Sequence, residues 1–93
     1  MDVKEAVQVA REYVADLFDS EKISNVGLEE VAFDDAEGLW EITIGFSRPW
    51  ERQGALGMDL GLKAQRAYKV VCISNSSGTV KSVKDRVLPT PQR

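Results

Sequence analysis

Between Leu39 and Ser47 apolar and polar residues alternate without a break: Trp40, Ile42, Ile44 and Phe46 fall on one side, Glu41, Thr43, Gly45 and Ser47 on the other. A period of two marks a half-buried β-strand, and four bulky apolar side chains on one face place this strand at the centre of a sheet. Upstream the period changes. Val3, Ala6, Val7, Ala10, Tyr13, Val14, Leu17 and Phe18 recur every three or four positions, with Lys4, Glu5, Gln8, Arg11, Glu12 and Asp16 away from them, which predicts an amphipathic helix over about residues 3–19. Asp2 followed by Glu5 has the DxxE form of a helix start, where carboxylates meet backbone N–H groups that no helical carbonyl can take.

From Ile23 to Asp34 the alternation is broken: Val26 and Leu28 have one parity, Val31 and Phe33 the other, with Glu29 and Glu30 between them. A bulge, or a strand that starts late, accounts for the change. The DDAEG of residues 34–38 reads as a hairpin connection, pairing this strand antiparallel with the strong one. Ala67–Ser74 predicts a third strand, with Val71 and Ile73 on one face and Tyr68, Val70 and Cys72 on the other. The NSSG of residues 75–78 is a turn, and Thr79–Leu88 a fourth strand whose inward residues are Val83 and Val87. The apolar helix stripe needs a surface to lie on, and the strands supply it. The expected fold is α+β, one N-terminal helix packed on a four-stranded antiparallel meander sheet in the order α-β-β-β-β. Lys81, Lys84 and Arg86 on the last strand read as charges guarding a sheet edge.

Pro49 stops the second strand, and residues 51–66, ERQGALGMDLGLKAQR, hold Gly54, Gly57 and Gly61 among Leu56, Met58, Leu60 and Leu62. Glycines at that spacing disfavour a helix, so a long loop is expected, its apolar residues folded over one end of the core or docked on another protein. Pro89 and Pro91 end regular structure. The expected organisation is a single domain over residues 1–88 with this loop inside it, and a mobile tail over residues 89–93.

A chain of 93 residues, 43% hydrophobic and 29% charged, has room for one core and the composition of a globular domain. It holds no apolar run of the length that crosses a membrane, and the N-terminus enters an acidic amphipathic pattern with no apolar signal core. The cytoplasm is the expected location. The lone Cys72 agrees with a reducing compartment, and in its apolar run it is expected to be a buried structural thiol.

Charge is distributed unevenly. Residues 1–45 carry three basic and twelve acidic side chains, a balance of −9, whereas residues 46–93 carry nine basic and three acidic, +6, for the net −3. The two halves either pair within the fold or leave a bipolar surface whose basic side meets an acidic partner.

Catalytic chemistry is poorly represented. The absence of histidine removes the commonest general base and metal ligand, and with it any Ser-His or Cys-His nucleophile. The glycines of GALGMDLG fit no phosphate-cradling loop. Glu29 with Glu30 and Asp34 with Asp35, being sequence neighbours, point to opposite faces of a strand and do not converge without a turn. Asp34, Asp35 and Glu37 read as a solvated acidic turn before a weak calcium site. No metal, no cofactor and no enzymatic activity are expected.

The helix with Ala6 and Ala10, the Trp40-Glu41-Ile42 opening of the second strand, and the hairpin Val71–Val80 together resemble the small PepSY-like and cystatin-like α+β domains. In that hairpin Ser77 stands where threonine is usual, Gly78 is kept, and Ser74 stands where aspartate is common. The resemblance implies the helix-on-sheet fold and, from the family's usual role, extracytoplasmic regulation of proteases. The insertion at residues 51–66 and the missing signal core depart from that pattern.

The expected function is therefore a non-enzymatic domain that binds another protein, as an inhibitor, immunity factor or accessory subunit. Candidate interface residues are Arg48, Trp50 and Arg52 with Leu56, Met58 and Leu60 of the adjoining loop, because arginine and tryptophan dominate interface hot spots. The structural alternative is Trp50 capping the core and Arg48 pairing with an acid. A sheet edge also offers a homodimer contact. One rival is a small-molecule binder or minor enzyme with a cavity between helix and sheet. The other is a nucleic-acid binder using the basic second half, which an overall pI near 4.9 disfavours.

Overall fold

The computed structural model describes residues 1–49 and 66–86. Helix α1 spans Val3–Leu17, and the strands are β1 Ser24–Asp34, β2 Leu39–Ser47, β3 Ala67–Ser74 and β4 Val80–Asp85. All neighbours are antiparallel, in the order β1-β2-β3-β4, with α1 packed across one face. This is the expected α+β meander. Trp50, residues 51–65 of the expected loop, and residues 87–93 with the expected tail lie outside the described residues.

The helix starts as its sequence dictates. The Asp2 carboxylate accepts from the Glu5 amide and the Glu5 carboxylate from the Asp2 amide, both at 2.9 Å. That reciprocal pair satisfies two N–H groups the helix itself leaves free. At the other end α1 stops two residues before the expected limit. Phe18 leaves helical geometry, a 3-10 turn follows over Asp19–Glu21, and Lys22 takes a left-handed φ of 53°. The Phe18 ring then lies 5.2 Å from that of Phe46.

Ala6, Ala10 and Val14, spaced four apart on one helix face, are fully buried against Ile42, Ile44, Phe46, Val71 and Ile73. Two alanines in that row let the helix approach the sheet closely, so side chains fill the space between the layers. The strand register lines the apolar residues up in rows under the helix: Val31, Ile42, Val71 and Val83 across the sheet, then Phe33, Trp40, Ile73 and Val80.

The broken alternation of β1 is resolved by a bulge. Register with β2 shifts between Leu28 and Glu30, so Val26 and Leu28 before it and Val31 with Phe33 after it all face the helix side. The extra residue also corrects the expectation for the acidic pair: Glu29 and Glu30 both project onto the face opposite α1. Two hairpins close the meander. Gly38 (φ 66°) and Gly78 (φ 72°) occupy the left-handed positions, and the Asp34 side chain accepts from the amides of Ala36 and Glu37 at 3.0 and 3.2 Å.

Two smaller expectations change. Cys72 is half-buried on the open face of the sheet, because β3 turns Val71 and Ile73 to the core instead. On the outer strand β4, Lys81 and Lys84 are exposed or nearly so in the manner of edge charges, while Arg86 reaches back across the open face.

Leucine and alanine have nearly equal helix propensities, so Ala10→Leu tests the layer spacing rather than the helix. Overpacking is expected to cost about 1–3 kcal/mol in urea unfolding. An unchanged midpoint would show that the layers have slack.

Candidate functional site

A single helix is narrower than four strands, and which strands it leaves bare decides what surface is offered. In α1 the residues beside the buried row turn towards β1. Val3, Lys4, Val7, Gln8 and Arg11 form one wall of a groove of about 450 Å³ whose other wall is Leu28 and Val31. The depression continues along the seam past Arg11, Ala15 and Val26 to Asp19, Lys22 and Ile23. Val3 and Leu28 remain 44% and 45% exposed, and Phe33, stacked on Trp40 with ring centroids 4.7 Å apart, is 39% exposed.

β1 is also an outer strand. It pairs with β2 on one side, and among the described residues no strand lies on its other side. An edge of 11 residues therefore runs alongside a partly apolar groove, the arrangement that accepts an added strand: backbone groups pair along the edge and alternate side chains enter the groove.

The opposite face of the sheet is tied by charge. Arg66 pairs with Glu29 at 3.1 Å, and Arg86 donates to Thr43 Oγ1 at 3.1 Å and to Glu30. Both pairs join an acid of the first half to a base of the second. A Cβ at position 45 would lie 2.7 Å from Glu29 Oε2 and 2.9 Å from Arg66 Nη2, so the ends of these two flexible side chains would have to shift to admit one.

Arg48, an expected interface residue, faces inward. Its Nε lies 2.9 Å from Glu21 Oε1 and its guanidinium 5.2 Å from the centre of the Phe46 ring. Beside it Lys69 sits 5.3 Å over the Phe18 ring and pairs with Asp85. Trp50, Arg52, Leu56, Met58 and Leu60 lie outside the described residues. The groove residues were not singled out from sequence, although the solvent-side positions of the helix stripe and the exposed parity of a bulged edge strand carry the signal.

Comparison of the chain with models of protein families, with characterised proteins and with solved structures finds no match.

The hydrogen bond and charge of Lys69 hold the Asp85 carboxyl below its usual range, with Arg48 adding to the pull and desolvation opposing it. A carboxylate whose folded pKa lies below its unfolded one stabilises the fold above the unfolded pKa, and that contribution is lost as pH falls through the folded value. Asp85→Asn is expected to melt below wild type at neutral pH and with it in acid. The gap should be small, since the side chain is 73% exposed. A gap that persists undiminished in acid contradicts the pairing.

Proposed function

We propose that this chain is a non-enzymatic protein-binding domain, an inhibitor, immunity factor or accessory subunit, that takes up an extended segment of another protein along β1. The observation that carries this reading is the 11-residue outer strand running beside the groove, with Leu28 and Phe33 exposed. Backbone pairing along such an edge gives affinity independent of sequence, and the groove adds selectivity through side chains.

Two features favour it over its rivals. Ala6, Ala10 and Val14 fill the space that a small-molecule pocket between helix and sheet would need. Arg48, Arg66, Lys69 and Arg86, four of the bases a phosphate backbone would need, are each engaged with an acid of the same chain. No helix among the described residues is long and apolar enough to cross a membrane, and the unpaired Cys72 supports a cytoplasmic site.

Capture from a lysate of the source organism, with wild type beside Leu28→Ser/Phe33→Ser, tests the proposal. Exposed positions change stability little, so equal melting of the two proteins is the control. Wild type is expected to retain a protein that the equally stable variant loses. Retention by both overturns the β1 edge as the binding surface, and loss in a Trp50→Ala variant instead moves that surface to the residues around Trp50.

A further inference from the structure

Lys4, Arg11 and Lys22 are the only basic residues among the first 45, where twelve side chains are acidic. All three line the seam between α1 and β1: Lys4 and Arg11 on the helix wall of the groove, Lys22 at its far end. None of them makes an ion pair among the described residues, whereas Arg48, Arg66, Lys69 and Arg86 each do. Acids were abundant, yet the seam's cations were left without one. Lys4 and Arg11 are seven positions apart on one side of the helix, about 10 Å along its axis at ~1.5 Å per residue. An extended chain advances about 3.3 Å per residue and presents alternate side chains to one face. One or two of its same-side positions, about 6.6 Å apart, therefore fall between the two cations.

We propose that the segment taken up along β1 is acidic: an extended stretch of a partner protein whose helix-facing positions, every second residue, carry apolar residues and aspartate or glutamate in turn. Its apolar side chains seat against Val3, Val7, Leu28 and Val31, and its carboxylates meet Lys4 and Arg11. This rests on the protein-binding reading above and adds the chemistry of the partner. Glu12, at the same rim, already accepts from Gln8 Nε2 at 2.6 Å, and Asp19 lies at the far end beside Lys22, which leaves the Lys4–Arg11 stretch as the cationic part.

A second copy of this chain is the wrong occupant. Two β1 strands paired about a two-fold axis bring both Lys4–Arg11 stripes to the same side, like charge towards like charge. Meanwhile Glu29 and Glu30 of each copy are held on the opposite face by Arg66 and Arg86.

The test titrates the full chain with two short synthetic peptides in which every second residue is serine and the residues between are valine and aspartate in turn, or valine and lysine in turn. Backbone amide resonances report where each binds. The aspartate peptide is expected to shift amides of residues 26–33 and 4–11 and to bind tighter than the lysine peptide by about tenfold at low salt, as two exposed ion pairs give against two repulsions. High salt should erase most of that ratio. Lys4→Glu/Arg11→Glu, at exposed positions, should invert the preference while melting like wild type. Equal or tighter binding of the lysine peptide at the same amides overturns the acidic partner but leaves the β1 docking reading standing. Binding of neither peptide at β1 overturns both, and self-association of the wild-type chain through β1 amides overturns the choice of occupant.

Discussion

Close packing of one short helix on a wider sheet is the constraint from which the remaining surface follows. Ala6 and Ala10 bring α1 down onto Ile42 and Ile44, all four fully buried, with the helix over the β1–β2 side. A helix with its side chains is about 10 Å across, while four strands at about 4.8 Å span more, so one helix cannot cover every apolar residue on that face. Even on the β1 side, which the helix does overlie, Val3, Leu28 and Phe33 stay 39–45% exposed. These residues lie beside the outer edge of β1, on whose far side no strand pairs among the described residues, and the two features together carry the proposed binding surface.

The bulge in β1 serves both faces of the sheet. By inserting Glu29 between Leu28 and Glu30 it keeps Val26, Leu28, Val31 and Phe33 on the helix side, and it sends two adjacent carboxylates to the other. There Arg66 and Arg86 meet them, each arriving from the second half of the chain. The uneven charge of the sequence is in this way partly spent inside the fold. Chain order separates acids from bases, and the meander folds one half against the other. Gly45 leaves room for the Glu29–Arg66 contact, whose side-chain ends would have to shift if a Cβ stood there.

The same accounting explains the difference between the two candidate surfaces. Arg48 looks like an interface residue in a linear reading because it precedes a tryptophan and a loop rich in leucine and glycine. Folded, its guanidinium is drawn to Glu21 and the Phe46 ring at the C-terminal end of α1. Lys4 and Arg11 look like ordinary solvated helix positions, and their environment changes only when β1 is laid alongside.

Much of the fold was legible because its signals are local. Period two in residues 39–47 and 67–74, period 3.6 in residues 3–17, the DxxE cap, and glycines at the two hairpin turns each depend on neighbours within a few positions, and together they leave one antiparallel meander under one helix. The parity change in β1 was also visible, as a bulge or a late start. Which of these it is, and where its carboxylates point, depends on register against β2, a relation between residues more than ten positions apart. The partner of each charge, the half-burial of Cys72 and the place of Arg48 depend on the same long-range geometry. So does the groove, whose walls come from a helix and a strand that share no local pattern. The sequence by itself determined the elements, their order and the uneven charge. Only the tertiary structure decided which charges are paired and which apolar side chains stay exposed among the described residues, because both depend on which side chains meet in space across elements distant in the chain.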